Sequence, residues 1–360
     1  MKINENLNDF LLIIDGNSLL ATSYYGILPP SLKNKKLTPQ EEEQFYPELL
    51  HTSDGKYTNG IYGFMKTLMS ILVNQRPKYI VVNWDAGRNT FRRQLYPEYK
   101  GTRGTTPRPL KEQQEMMRNV LKFIGIKQFI SDNFEADDFS GSLAKYFSNE
   151  TYVRILTKDR DHLQLIDDKV NVWLTFPMDK SGQSKSVDTL NAKFGVDASK
   201  LNVPTNVFRV TKELVKDYYG AEADRIIDLK ALMGDTADNI PGVKGIGEKT
   251  AILLVENFKN IETLYQYLST NTEDTILQEF KNIGIRGGKK VLTSLLATST
   301  TEIVGENAAI LSKQLATIKT NINFGNINLD IFQNNIDENN LIATLKRLEF
   351  NQILNQYYVI

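Results

Sequence analysis

Three short apolar runs along the chain each end in an acidic residue. They are Phe10–Asp15, Tyr79–Asp85 and the run from Tyr152 to Asp159. Runs rich in Val, Ile and Leu, separated by longer helical patterns, are typical of central strands in a parallel sheet that is buried on both faces. We therefore expect an α/β fold with a mostly parallel central sheet flanked by helices. Ligands of such sheets bind at the carboxyl ends of the strands, so these acids should converge on one cleft.

Other acidic residues lie in stretches with helical periodicity. The segment Phe134–Phe147 predicts an amphipathic helix, and its acidic start suits the positive end of the helix macrodipole. Glu135 and Asp138 are three residues apart, which places them on one helix face. Asp235 and Asp238 repeat this spacing. We expect the helix that carries this second pair to end near Asp238.

The acids are more informative as a group than singly. Any one of them is as readily a helix cap or a solvated charge. Asp159 and Asp161, two apart on a segment expected to be extended, should point the same way and share one cation. Hard divalent cations such as Mg²⁺ prefer oxygen ligands, and a two-metal phosphoryl-transfer site explains acids at successive strand ends. The candidate metal ligands are Asp15, Asp85, Glu135, Asp137, Asp138, Asp159, Asp161, Asp235 and Asp238.

A local basic stripe follows the second predicted strand. It contains a single acid, Glu98, and two aromatic residues, Tyr96 and Tyr99. Basic groups interleaved with aromatics suit phosphate contact and base stacking, although an ordinary solvated loop is the alternative. The basic residues of the stripe are Arg88, Arg92, Arg93, Lys100, Arg103, Arg108 and Lys111.

Composition sets bounds without naming a function. Lysine plus arginine total 43 and aspartate plus glutamate total 43, so the net charge is zero, which counts mildly against a nucleic-acid-binding protein. The absence of cysteine rules out disulfides and favours a reducing compartment. No run approaches the roughly 20 apolar residues that a membrane helix requires. We therefore expect a cytoplasmic protein without a membrane partner.

A glycine-rich connector follows the last two acids. Within the segment 239–255 a second helix is expected to begin near Glu248. Glycines let the backbone approach a ligand closely, and the free amides of a helix N-terminus bind phosphate. This pattern predicts a helix-hairpin-helix that grips a DNA backbone without reading its sequence. Its candidate DNA-binding residues are Gly242, Lys244, Gly245, Gly247 and Lys249.

Seven blocks of sequence together resemble the structure-specific 5′ nucleases, also called flap endonucleases. The resemblance is strongest to the 5′-nuclease domain of bacterial DNA polymerase I and its stand-alone bacteriophage relatives. The blocks occur in the family's order over nearly the whole chain. They are Ile14–Ser18, Asp85–Arg92, Pro97–Arg103, Glu135–Asp138, Asp159–Asp161, Leu232–Val243 and Leu311–Thr320.

The resemblance implies hydrolysis of phosphodiester bonds in branched or 5′-ended DNA. The implied substrates are 5′ flaps and nicked or forked duplexes, with RNA–DNA hybrids as an additional class. The implied cofactors are two Mg²⁺ ions, for which Mn²⁺ can substitute, and K⁺ at the helix-hairpin-helix. In the family one cation is held by residues matching Asp85, Glu135 and Asp137, with Asp15 close by through water. The second is held by those matching Asp159, Asp161 and Asp235, with Asp138 and Asp238 in outer-shell support.

The resemblance also assigns roles within the basic stripe. Lys100 and Arg103 match residues that contact the scissile phosphate at the base of a helical arch. Positive charge there would offset the charge that builds up in the transition state. Tyr99 matches an aromatic that stacks on a nucleobase, and Arg92 is expected to assist in binding phosphate.

The expected domain organisation has three parts. Residues 1–210 form the nuclease core with an arch at about 86–134, residues 211–300 form the helix-hairpin-helix subdomain, and residues 301–360 form helices that pack back on the core. Residues 27–58 and 178–208 are longer than the family pattern, and Lys158 replaces a usual glycine. We expect a monomer, with any polymerase or single-strand-binding protein acting in trans.

Two alternatives stay open at this point. One is a non-catalytic DNA-junction-binding protein of the same fold, which predicts the loss of some of the nine acids. The other is a single-strand ribonuclease of the same core, which predicts fewer acids and no glycine-rich hairpin. Both histidines, His51 and His162, are expected to be structural or incidental.

Overall fold

The computed structural model describes residues 9–33, 38–179 and 181–358 of the chain. Parts of the predicted segments lie outside these ranges: residues 34–37 of the segment 27–58, residue 180 of the segment 178–208, and the chain ends 1–8 and 359–360. Among the described residues, no helix combines the length and the apolar character needed to cross a membrane.

A six-stranded sheet forms the centre of the fold. Its strand order is β3-β2-β1-β4-β5-β6; the first five strands are parallel, and β6 runs antiparallel to β5. This confirms the predicted mostly parallel sheet, and the three acid-ended runs are its adjacent central strands. The strands are β1 (Phe10–Asp15), β2 (Tyr79–Asp85), β3 (Lys127–Ser131), β4 (Tyr152–Thr157), β5 (Val170–Thr175) and β6 (Val207–Val210).

Sixteen α-helices surround the sheet or form a separate cluster in the described part of the chain. They are α1 (Gly16–Gly26), α2 (Pro39–Glu43), α3 (Asn59–Asn74), α4 (Phe91–Leu95), α5 (Arg108–Phe123), α6 (Ala136–Phe147), α7 (Lys185–Phe194), α8 (Lys212–Tyr219), α9 (Ile226–Met233), α10 (Glu248–Phe258), α11 (Ile261–Thr270), α12 (Glu273–Asn282), α13 (Gly288–Leu295), α14 (Gly305–Ala316), α15 (Glu338–Arg347) and α16 (Asn351–Tyr357). Short 3-10 helices cover Tyr46–Glu48, Arg160–Leu165, Ala198–Lys200, Ala223–Arg225 and Leu329–Phe332.

The two faces of the sheet are buried against different helices. Side chains alternate across a strand, so Leu12 and Ile14 of β1 pack in the core with α1, α3 and α5, whereas Leu11 and Ile13 face α6. Every residue of β1 is buried. Because both faces of this central strand are buried, its sequence is apolar throughout and does not alternate with polar residues.

The predicted arch region, about 86–134, contains α4, α5 and β3. Leu110, Met117 and Leu121 on α5 are buried in the main core, so this helix is anchored to the sheet along its length. Residues 101–106 are all exposed and form the part of the region that stands clear of the core.

A second hydrophobic core lies in the C-terminal half, among helices α9 to α13. Leu254, Phe258 and Phe280 are buried there, and α14 packs against α9. Helices α15 and α16 instead return to the core of the sheet, where Leu345 and Leu354 are buried. The segment 301–360 thus contributes to both cores, and the boundaries at residues 210 and 300 remain predictions.

Candidate active site

The acids at the ends of β1 and β2 tie neighbouring elements together. Asp15 caps α1, since its Oδ1 accepts a hydrogen bond from the amide of Ser18 at 2.9 Å. Its Oδ2 accepts one from Thr157 Oγ1 at the end of β4, also at 2.9 Å. Asp85 Oδ1 accepts from the amide of Ala136 at 2.7 Å, which fixes the start of α6 against the end of β2.

Glu135 and Asp138 form a reciprocal cap at the start of α6, and Asp138 is completely buried. The Arg92 guanidinium donates to both oxygens of Asp138 at 2.7 Å. It also donates to the carbonyls of Leu315 and Thr317, and Arg92 is only 2% exposed. The donors of Arg92 are therefore used inside the protein in this structure, and its contact with DNA phosphate remains a prediction.

Asp159 and Asp161 lie at the start of the 3-10 helix that follows β4. The prediction of an extended segment was wrong, since Asp159 caps this helix and accepts a hydrogen bond from the amide of Asp161 at 2.9 Å. The tight turn still keeps both carboxylates in the cleft at the end of β4.

Lys230 bridges two of the acids, and it is not among the site residues predicted from the sequence. Its Nζ donates to Asp161 Oδ1 and, at 2.7 Å, to Asp235 Oδ2. Burial alone would lower the pKa of Lys230, but the neighbouring Asp161 and Asp235 raise it. The signal was a single lysine in the otherwise apolar end of α9, five residues before Asp235.

Asp235 and Asp238 lie in a loop, not on a helix as predicted. Helix α9 ends at Met233 because Gly234 adopts a φ of +73°, which starts a turn closed by hydrogen bonds between Asp235 and Ile240. The Asp238 carbonyl accepts from the amide of Lys100 at 2.8 Å. This contact docks the loop against the basic stripe.

The cationic residues of the stripe lie against the acids. Lys100 Nζ is 2.9 Å from Glu135 Oε2 and 3.7 Å from Asp238 Oδ2, and the half-exposed Arg103 pairs with Asp238. Tyr99 is 4% exposed, and its hydroxyl lies 3.2 Å from Glu135 and 3.3 Å from Asp238. The ring of Tyr99 is thus packed inside in this conformation, and base stacking on it remains a prediction.

The structure gathers the predicted residues around one cleft of about 2290 Å³. Glu135 and Asp238 are linked to it through ion pairs with the lining residues Lys100 and Arg103. Asp138 is instead buried in its ion pair with Arg92. The other six candidate acids line the cleft itself, together with basic residues that include the last four of this list: Asp15, Asp85, Asp137, Asp159, Asp161, Asp235, Lys100, Arg103, Lys158 and Lys230.

The electrostatics of the cleft suit a divalent cation. Burial raises the pKa of Asp85 and of Asp161 to about 6, and neighbouring acids add to the effect. The pKa of Asp137 is raised well above its usual value by burial and then by Asp159 and Asp15. Carboxylates that are costly to ionise together, and that offer oxygen donors to one space, fit the ligand set of a hard cation.

One histidine accompanies these acids. Single ligand atoms of Asp15, Asp137 and His162 lie within 4.8 Å of one another, which is a spacing that one metal ion can span. His162 is fully buried, and its Nε2 is 3.4 Å from Asp137 Oδ1. His51 is exposed and contacts the carbonyl of Leu49 instead.

The glycine-rich hairpin borders the cleft at Gly247, and α10 begins at Glu248 as predicted. Gly242 is buried with a φ of +62°, and a Cβ there would lie 2.3 Å from the amide nitrogen of Gly234. Gly242 therefore serves close backbone packing, and its contact with DNA remains a prediction. The other candidates are exposed at this edge: Lys244, Gly245, Gly247 and Lys249.

The fold and site define an α/β protein with a carboxylate-lined cleft at the strand ends and a helical unit beside it. Residues 10–195 match the profile of the 5′-3′ exonuclease N-terminal, resolvase-like domain. Residues 221–339 match that of the 5′-3′ exonuclease C-terminal domain with a SAM fold. The chain therefore belongs to the 5′-3′ exonuclease family.

Relatives of known name agree with this family. A 5′-3′ exonuclease of Bacillus subtilis (strain 168) is 32% identical over 262 residues, covering 73% of this chain and 75% of the relative. One of Aquifex aeolicus (strain VF5) is 34% identical over 255 residues, covering 71% of each. DNA polymerase I of Bacillus subtilis is 31% identical over 350 residues, which is 96% of this chain. The chain spans 32% of the length of that polymerase.

Two solved structures share the fold. A phage T5 protein co-crystallised with metal ions has a TM-score of 0.52 at 18% identity, covering 97% of this chain and 96% of that one. The catalytic core of Rad2 in complex with a DNA substrate has a TM-score of 0.51 at 16% identity, covering 98% and 93%. At these identities the likeness concerns the fold alone.

Proposed function

We propose that this protein is a divalent-metal-dependent, structure-specific 5′ nuclease that hydrolyses phosphodiester bonds of branched or 5′-ended DNA. The observation that carries the proposal is the single cleft in which six carboxylates meet Lys100 and Arg103. The names of the 5′-3′ exonuclease relatives support the same activity. Its substrates would be 5′ flaps and nicked or forked duplexes, with RNA–DNA hybrids in addition.

The placement of the acids supports a proposed set of ligands for two cations. One Mg²⁺ would be held by Asp85, Glu135 and Asp137 with Asp15 near it, and the other by the acids of the 3-10 helix and Asp235. When bound, such ions supply positive charge to the scissile phosphate and favour ionisation of the attacking water. Mn²⁺, which takes similar oxygen ligands, would substitute for Mg²⁺.

Lys100 and Arg103 would act on the phosphate that is cut. In the structure they pair with Glu135 and Asp238. Arg103 is half exposed, so it can turn from Asp238 to a phosphate at the mouth of the cleft. Donors held at that place stabilise charge as it develops in the transition state.

The hairpin would hold the duplex next to the cleft. Lys244 and Lys249 are exposed near the start of α10, where free amides and the helix dipole favour phosphate. Gly245 and Gly247 allow a close approach of the backbone. The proposal also includes a K⁺ ion bound by the hairpin. The protein would act as a monomer in the cytoplasm, with a polymerase or single-strand-binding protein acting in trans.

A labelled 5′-flap duplex tests the function directly. We expect cleavage with Mg²⁺, none with EDTA, and little action on plain single-stranded RNA. Asp159→Asn should abolish cleavage while flap binding survives, whereas Asp188→Asn on the exposed side of α7 should behave as wild type. Near-normal turnover by Asp159→Asn would refute the ligand assignment. Binding without cleavage by the wild type would instead favour a junction-binding protein, and preferential RNA cleavage a ribonuclease.

A further inference from the structure

His162 is buried next to Asp15 and Asp137, two of the acids that line the cleft. It follows Asp161 in the 3-10 helix, and its side chain is inaccessible to solvent. Within the part of the chain that the structure describes, neither ring nitrogen makes a hydrogen bond. Leaving a buried polar group unpaired destabilises the folded state, so a ring in this position calls for a partner.

The groups that face the ring are suited to share a cation with it. Nε2 lies 3.4 Å from Asp137 Oδ1, and ligand atoms of Asp15, Asp137 and His162 all fall within 4.8 Å of one another. Donors about 2.1 Å from an octahedral ion are roughly 3 to 4 Å apart, so small shifts of these side chains close the site. Asp15 and Asp137 line the cleft and His162 does not, so an ion shared by the three residues would enter from the side of the two acids.

We propose that His162 is a nitrogen ligand of one of the two cations, together with Asp15 and Asp137. This inference rests on the proposed cation site and adds its selectivity. Imidazole is a softer donor than carboxylate and suits later first-row metals, whereas Mg²⁺ prefers oxygen. One of the two positions therefore favours Mn²⁺, Co²⁺ or Zn²⁺ over Mg²⁺.

The competing arrangement is an imidazolium that only neutralises Asp137. A protonated ring cannot bind a metal, because the nitrogen lone pair is occupied. The two arrangements therefore differ in whether nitrogen is bonded to the ion. That difference is visible in the spectrum of a paramagnetic metal, independently of any nuclease activity.

Pulsed electron paramagnetic resonance of the full chain, stripped with EDTA and loaded with Mn²⁺ alone, tests the inference. We expect ¹⁴N coupling of histidine type in the wild type and in His51→Leu, and its loss in His162→Leu. Bound Mn²⁺ without this coupling in the wild type would overturn the nitrogen ligand and leave the proposed nuclease intact. Failure to bind Mn²⁺ at all would overturn both.

Calorimetric titration then tests the selectivity. His162→Leu should weaken Mn²⁺ binding at least about tenfold, and Mg²⁺ binding by less. His162→Asn serves as a second variant in case leucine is not tolerated at this buried position, because asparagine keeps a polar side chain there. It should also lower the preference for Mn²⁺ over Mg²⁺. Circular dichroism confirms that each variant is folded. An unchanged ratio of Mn²⁺ to Mg²⁺ affinity in a folded variant would contradict the proposal.

Discussion

Arg92 and Asp138 show how a residue next to a functional motif can serve the fold. Their buried ion pair joins α4 to the start of α6, and Arg92 also holds the chain after α14 through two carbonyls. The sequence places Arg92 in a basic stripe, and sequence alone does not reveal which member of the stripe turns inward. The burial of Tyr99 was unforeseen for the same reason.

Replacing Arg92 by methionine should lower the free energy of unfolding by about 3–5 kcal/mol. The reason is that Asp138 would stay buried without its counter-ion. Denaturant unfolding followed by circular dichroism measures the change, with Arg93→Met on the same helix as the matched control. A variant of wild-type stability that had merely lost affinity for DNA would show that Arg92 is a phosphate contact after all.

Asp85 should make the metal-free protein less stable as the pH rises. Its pKa is about 6 in the folded protein against an ordinary 3.8, so the folded state binds more protons than the unfolded state between these values. The stability associated with this group is therefore present below pH 3.8 and is lost as the pH rises through 6.

Asp85→Asn should for this reason raise the free energy of unfolding in EDTA at pH 7.5, by up to about 3 kcal/mol. In saturating Mg²⁺ the order should reverse, because the variant lacks a cation ligand. Thermal unfolding of both proteins with EDTA and with Mg²⁺ checks the two signs. A variant less stable than wild type in EDTA would mean that burial and the neighbouring acids do not raise the pKa of Asp85.

At the scale of single elements, the strands were predictable and the turns were not. The burial of an apolar run such as Phe10–Asp15 can be predicted directly from the sequence, because both faces of a central strand are covered. The end of α9 depends on the φ of Gly234, which the sequence permits but does not require. The 3-10 helix after β4 likewise follows from local capping by Asp159.

The hairpin before α10 should bind DNA chiefly through charge. Lys244 and Lys249 are exposed there, and each phosphate contact releases counter-ions. The double variant Lys244→Ala, Lys249→Ala should weaken duplex binding and reduce the slope of log K against log salt by about 2. Fluorescence anisotropy over a range of salt concentrations measures this slope.

The matched control for this experiment is Lys346→Ala on α15, whose helix packs against the core of the sheet. This control should leave the salt slope at its wild-type value. An unchanged slope in the hairpin double variant would remove the hairpin from the DNA interface.

Over the whole molecule, the convergence of the acids on one cleft could be predicted from the sequence, whereas the side chains that contact these acids could not. Parallel strands that end in acids must bring those acids to one edge of the sheet, so the cleft follows from topology. Lys230 and His162 were not predicted as site residues because a lysine in an apolar helix and a histidine after an acidic pair have many ordinary structural uses. Their places became evident only when distant segments were brought together.

The central claim is that these distant acids make one cation-binding cleft. Diffraction from a crystal soaked in Mn²⁺, recorded for anomalous signal, tests it most directly. We predict two anomalous peaks inside the cleft, one among Asp15, Asp85 and Asp137 and the other among Asp159, Asp161 and Asp235. A cleft without peaks, or peaks confined to the outer surface of the protein, would contradict the claim.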